Sequence, residues 1–172
     1  MPKSTDERKT LELIKNHGEF KSTLIALSMS GDLNTLESHV LKVTQKWFDL
    51  ARMHLLDATA VDVKRNSRSV YSRSYYAAYN ASKAVRYFVS GFVSLRGDDH
   101  KKVGELPGNF PDVDTWLSNL SLLYEHRLRA DYDNWAHTAS ENILTPSECL
   151  VMARKFIEAA EQFLHTEYKL KL

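Results

Sequence analysis

The chain has 172 residues, 43% of them hydrophobic and 26% charged, which is enough for one ordinary globular domain to bury a real core without disulfides or metal. Lys+Arg 23 against Asp+Glu 22 leaves no global electrostatic signature of nucleic-acid or membrane binding, so any RNA or DNA contact must be local. The single Cys149 excludes an intrachain disulfide and Cys-rich zinc sites, fits a reducing cytosol and reads as a core cysteine. The N-terminus, MPKSTDERK, is too polar for a secretory signal, and no apolar run approaches the ~18 residues of a membrane span. The expectation is a soluble, cytoplasmic protein with no membrane segment.

In chain order, the punctuation marks helices. Ser4-Thr5-Asp6-Glu7 has capping-box form and opens a short helix that gives way around His17-Gly18. A second apolar segment, Phe20 to Met29, is expected to stop at Gly31. Asn34 and Glu37 repeat the capping pattern before a long helix through Val40, Val43, Trp47, Leu50, Ala51, His54 and Leu55, spaced by 3 and 4. Another long helix runs from about Ser67 to Val89 and ends at Gly91. Residues 91 to 111 hold four of the six glycines and two of the four prolines, which makes them a loop with at most a turn of helix near His100–Val103. A helix from about Asp112 to Tyr132 follows. Thr145-Pro146-Ser147-Glu148 then combines a capping box with proline at the first helical position, the clearest helix start in the chain. With no strand-like alternation, the fold class is all-α: an up-and-down bundle of four to five helices over residues 32–172, preceded by a short N-terminal helical arm, 1–31.

Two segments carry charge where a helix should be apolar. Along the helix ending in YEHRLRADYD, Leu117, Leu120, Tyr124 and Leu128 fall within roughly 80° of one another at 100° per residue, with Asp131 inside that arc and Arg127 at its edge. Arg127 and Asp131 are i and i+4, the spacing at which helical side chains meet. They form either an internal ion pair that fixes packing or a polar site that meets a partner subunit or ligand. In SRSVYSRSYYAAYNASKAVRYFV, Val70, Ala77, Ala81, Ala84 and Phe88 make a core stripe. Beside it, Arg73, Tyr76, Asn80, Lys83 and Tyr87 recur as an aromatic and polar seam. Tyrosines at 71, 75, 76 and 79 turn the expectation for this seam from a wet surface to a homodimer face. The basic run Lys64-Arg65-Asn66-Ser67-Arg68, with Arg73 beyond it, is the best local phosphate-binding candidate. No glycine-rich phosphate loop follows a strand, and no pair of histidines at i, i+4 nominates a zinc site, so neither metal nor cofactor is expected.

Taken together, SRSYYAAYNASKAV, a loop with DDHKKVGEL, LYEHRLRADYD and a final TPSECLVMARKFIEAAEQFL resemble the HEPN domain (higher eukaryotes and prokaryotes nucleotide-binding), above all its small stand-alone bacterial and archaeal members. The likeness runs from about Leu36 to Leu164 and leaves the first 31 residues outside. It implies a helical bundle that usually dimerises, often encoded beside a minimal nucleotidyltransferase or within toxin–antitoxin and antiphage systems.

Many HEPN proteins are metal-independent ribonucleases whose motif is an Arg and a His separated by four to six residues, paired across the dimer. This chain departs from that motif: nine residues separate Arg127 from His137 and seven separate Arg129 from it, with Asp131-Tyr132 near the place of the histidine. RNA cleavage needs a proton-exchanging group near neutral pH and a cation for the phosphate. Arg127 supplies a cation, but an aspartate paired with it suits proton donation badly, and His137 serves only if the chain bends it back. The sites expected are therefore Arg127, Asp131 and His137 for any catalysis, and Arg73, Asn80, Lys83, His100 and Tyr132 for RNA or nucleotide. Tyr76, Tyr79 and Tyr87 are expected at the dimer face. The functional expectation is RNA or nucleotide binding at a dimer cleft in a toxin–antitoxin or defence-like module. The alternatives are a non-catalytic partner of a nucleotidyltransferase and a structural dimerisation module.

Overall fold

A computed structural model describes residues 5–95, 97–132 and 144–172. The described residues form helices α1 (Thr5–Ile14), α2 (His17–Ala26), α3 (Ser30–Ala60), α4 (Ser67–Ser90), α5 (Val113–Tyr132) and α6 (Pro146–Tyr168), with a short 3-10 helix at Gly97–Lys102. The architecture is an all-helical bundle organised around α4, which packs against α3, α5 and α6. Its stripe of alanines at 77, 78, 81 and 84, all fully buried, lets the neighbouring helices approach closely. No described helix is long and apolar enough to cross a membrane.

Local chemistry sets most helix ends. Thr145 accepts from the Glu148 amide at 3.2 Å while the Glu148 carboxylate accepts from the Thr145 amide at 2.7 Å, a reciprocal capping box with Pro146 in the first turn. Gly91 closes α4 in the left-handed region at φ 73°, its amide donating to the Tyr87 carbonyl. There it also meets Gly18: a Cβ on Gly91 would lie 2.7 Å from the Gly18 Cα. The Gly18 amide donates to the Gly91 carbonyl at 3.0 Å and the Val93 amide to the Lys15 carbonyl at 2.9 Å.

Two expectations about the N-terminal third are corrected. Gly31 does not stop a helix, because α3 already begins at Ser30; the boundary drawn at 31/32 falls inside its first turn, and Asn34 is an interior position rather than a cap. Nor do α1 and α2 stand apart from the bundle. Ile14 and Leu24 share a small core with Leu36, Val40, Tyr87 and Val93, and the Tyr87 hydroxyl donates to the Ile14 carbonyl at 3.1 Å.

The inward face of α5 also differs from the expected one. Its buried residues are Leu120, Leu123, His126, Arg127 and Ala130, a face turned by roughly 100° from the predicted stripe at 100° per residue. Leucines at 117, 120, 122, 123 and 128 populate more than one side of this helix, so periodicity alone could not phase it. Leu117 is left exposed. The turn brings Arg127 towards the centre of the packed face and leaves Asp131 exposed. His126 accepts from the Leu144 amide at 3.2 Å, and Tyr71 donates to the Leu144 carbonyl at 2.8 Å, so both sides of that residue are held where the chain enters α6. Cys149 is a buried free thiol whose pKa burial pushes up to about 12, an inert core residue as expected.

Candidate functional site

The tyrosines of α4 explain the site. Three of the four in the run 71–79 are buried within the chain and Tyr76 alone is half-exposed, so the row is core rather than the expected surface. A buried phenol needs a partner for its hydroxyl, and each finds one on another element. Tyr71 reaches Leu144. Tyr75 shares a 2.8 Å hydrogen bond with His100 Nδ1, Tyr79 donates to Asp99 Oδ2 at 2.8 Å, and the Tyr76 hydroxyl accepts from Arg127 Nη2 at 2.8 Å. Tyr79 and Tyr87 therefore do not serve as dimer-face residues. Tyr87 is fully buried, its ring edge-on to His17 at 4.6 Å and to Trp47 at 5.0 Å.

Lys83 and Asn80 are withdrawn from the surface in the same way. Lys83 approaches Asp99 Oδ2 at 3.3 Å and donates to the Tyr79 hydroxyl and the Ser94 carbonyl, both at 3.2 Å. Arg86 grips the same carboxylate with two hydrogen bonds, Nη1 to Oδ1 at 3.1 Å and Nη2 to Oδ2 at 3.0 Å. Asp99 is 0% exposed. Burial works against its charged form, yet the paired arginine, Lys83 and the Tyr79 hydroxyl outweigh it and hold the carboxyl below its ordinary value. Asn80 donates back to the Tyr76 carbonyl one turn away at 2.7 Å. These side chains form a closed knot that ties the 91–112 segment to α4, and neither Lys83 nor Asn80 is presented to a ligand.

The 3-10 helix that delivers Asp99 also delivers His100. Its imidazole stacks on Tyr79 with ring centres 4.4 Å apart and lies parallel to Tyr124 at 6.4 Å. Burial lowers its pKa, the nearby charge of Arg127 lowers it further, and Asp99 opposes both.

The open counterpart lies at the C-terminal end of α5. Arg127, 9% exposed, has its guanidinium carbon 5.4 Å from the centre of the Tyr76 ring and 5.1 Å from that of Tyr132, within cation–π reach of both aromatics. Its Nη2 donates to Tyr76 and, at 3.5 Å, to Tyr132. Its Nε sits 2.8 Å from Asp131 Oδ2, close enough for an ion pair but off the direction of a hydrogen bond. Tyr132 is 68% exposed. Next to this cluster is an open cavity of about 510 Å³ lined by Arg68, Ser69, Ser72, Arg73 and Tyr76 from α4 and by Ala130 and Asp131 from α5. Arg68 donates through Nε to the Ala130 carbonyl, which joins the two helices. Arg73 donates to His54 Nδ1 at 3.1 Å and approaches Asp57 at 3.8 Å. His54 lies against Tyr76 with ring centres 5.5 Å apart.

Of the residues singled out in the sequence, the structure thus brings Arg73, Tyr76, Arg127, Asp131 and Tyr132 together, with His100 against the far side of the tyrosine cluster. It separates Asn80, Lys83, Tyr79 and Tyr87 from them. His137 lies outside the described residues. Among the described residues no group of three or more His, Cys, Asp or Glu side chains could hold a metal. His54, Asp99 and Arg86 escaped sequence reasoning because their partners are 13 to 20 residues away or more. Compared with known proteins, the chain matches no family model, no curated protein and no solved structure.

Proposed function

We propose that the chain is a HEPN-type helical protein of a toxin–antitoxin or antiphage-defence-like module, acting as a homodimer and binding RNA or a nucleotide in the cavity where α4 meets the end of α5. The observation that carries this reading is the Tyr76–Arg127–Tyr132 cluster beside a cavity lined by two further arginines and two serines. Guanidinium groups and hydroxyls hold phosphate, while an exposed tyrosine offers a base a face on which to stack. The composition as a whole is neutral, so this local set is where a polyanion finds its contacts. The activity supported is binding. Among the described residues, His100 and Arg127 both touch the Tyr76 ring.

Titration with a short single-stranded RNA at several salt concentrations tests the reading. Binding is expected to weaken with salt, and Arg73→Ala to weaken it further and reduce the dependence on salt by about one counterion, as for one phosphate contact. Arg127→Ala is expected to do at least as much. Little or no cleavage is expected in EDTA. Absence of binding at low salt, or indifference to both substitutions, overturns the proposal.

A further inference from the structure

We infer that the cavity reads guanine, with Asp131 accepting the two N–H donors of that base while the phosphate lies towards Arg68 and Arg73. The inference rests on the nucleotide-binding reading above and names the ligand class for the same site. A volume of about 510 Å³ falls within the range of small-molecule sites, roomy enough for a base and its phosphate together. The lining is divided by chemistry. The first turns of α4 contribute Arg68, Ser69, Ser72 and Arg73, a set suited to an anion; the last turn of α5 contributes Asp131, and Tyr76 supplies an aromatic wall.

A carboxylate in a phosphate-binding cavity repels the phosphate, so its use there is with the other end of the ligand. It is acceptor-only, with two oxygens side by side. Asp131 has the capacity: Oδ2 is near Arg127 Nε without a directed hydrogen bond, Oδ1 has no partner among the described residues, and the side chain is 28% exposed. Single-stranded nucleic acid is read along Watson–Crick edges by groups of this kind. Guanine alone presents two adjacent donors there, N1–H and the N2 amino group. Adenine and cytosine present one donor beside an acceptor nitrogen, and uracil presents its N3–H between two carbonyl oxygens; in each case a carboxylate meets a lone pair.

The test is titration calorimetry of the full chain with five mononucleotides: 5′-GMP, its N1-methyl derivative, IMP, AMP and UMP. GMP is expected to bind most tightly. IMP, which lacks the N2 amino group, and N1-methyl-GMP, which lacks the N1 proton, should each be weaker by about tenfold, as expected for one lost hydrogen bond to a charged group. Asp131→Asn, which replaces one acceptor by an amide donor, is expected to bring GMP down to the level of IMP and leave AMP unchanged. The ligand series on the unaltered chain decides the matter whether or not that variant folds. Equal affinity for all five, or preference for any other base, overturns guanine selection while leaving phosphate binding intact. Failure of all five overturns it too, and the RNA titration above then shows whether the parent reading falls with it.

Discussion

Two clusters built from the same residue types lie on either side of the Tyr75–Tyr79 row, and they have opposite characters. In the knot at Asp99, every charge is covered and paired: Arg86 is bidentate on the carboxylate, Lys83 has three oxygen partners and Tyr79 completes the shell. At the Arg127 end, the arginine is equally well covered, but its partners Tyr132 and Asp131 reach solvent and a cavity opens beside them. Arginine, aspartate and tyrosine on a helix therefore do not by themselves mark a site. What separates a fastener from a binding surface is whether acceptors and aromatic faces remain unspent.

The comparison is tested most severely at Asp99. Removing one partner from a buried charged cluster leaves the others desolvated without compensation, which typically costs about 3–5 kcal/mol. Asp99→Ala strands both Arg86 and Lys83, so its loss in urea unfolding is expected in that range, large enough to unfold a marginal domain. A cost below about 1 kcal/mol would show that the knot is open to water and that the contrast is false.

At the open cluster the equivalent change is expected to be mild. Asp131 is solvated and its interaction with Arg127 lacks hydrogen-bond direction, while Arg127 keeps both tyrosines. Asp131→Ala should therefore cost under about 1 kcal/mol, the range of exposed pairs, in the same unfolding experiment. A cost of about 3 kcal/mol or more would make this pair a fastener like the one at Asp99.

The difference between the clusters also explains what the sequence could reveal. Helix ends governed by adjacent residues were legible: the Thr145–Glu148 box with Pro146, and Gly91 after α4. The start of α3 was not, because Met29 makes no side-chain cap and the Asn34–Glu37 pattern imitates one. Arg68 and Arg73 were legible as exposed basic residues because they are surface residues of one helix. Lys83 and Tyr87 misled because what covers them is long-range: α1 and α2 close over Tyr87, and the 91–112 segment folds Asp99 onto Lys83. The α4 periodicity fixes which residues are neighbours and is silent on what lies above them.

The smallest expected effect concerns the residue that borders both clusters. His100 faces Tyr75 and Tyr79 from α4, Tyr124 from α5, the charges of Arg127 and Lys83, and the neighbouring Asp99. Burial first, then Arg127, lowers its pKa below the ordinary 6.5. The unfolded chain thus takes up this proton at a higher pH than the folded one, and stability falls as the pH falls wherever that holds. The contribution is flat above about 6.5, declines as the pH falls from there through the lower folded value, and levels off below it. His17 and His54 are also lowered, mainly by burial, and add the same sign, so the measurement is the difference between the chain and His100→Gln. That difference in unfolding free energy is expected to be constant from pH 8 to about 6.5 and to move against the histidine-bearing chain at lower pH. Asp99, whose carboxyl is also held low, adds acid loss only below its ordinary 3.8. A difference of the opposite sign, with the unaltered chain gaining stability over His100→Gln as the solution is acidified, would place the imidazole with the acceptors of the open cluster instead of against its arginine.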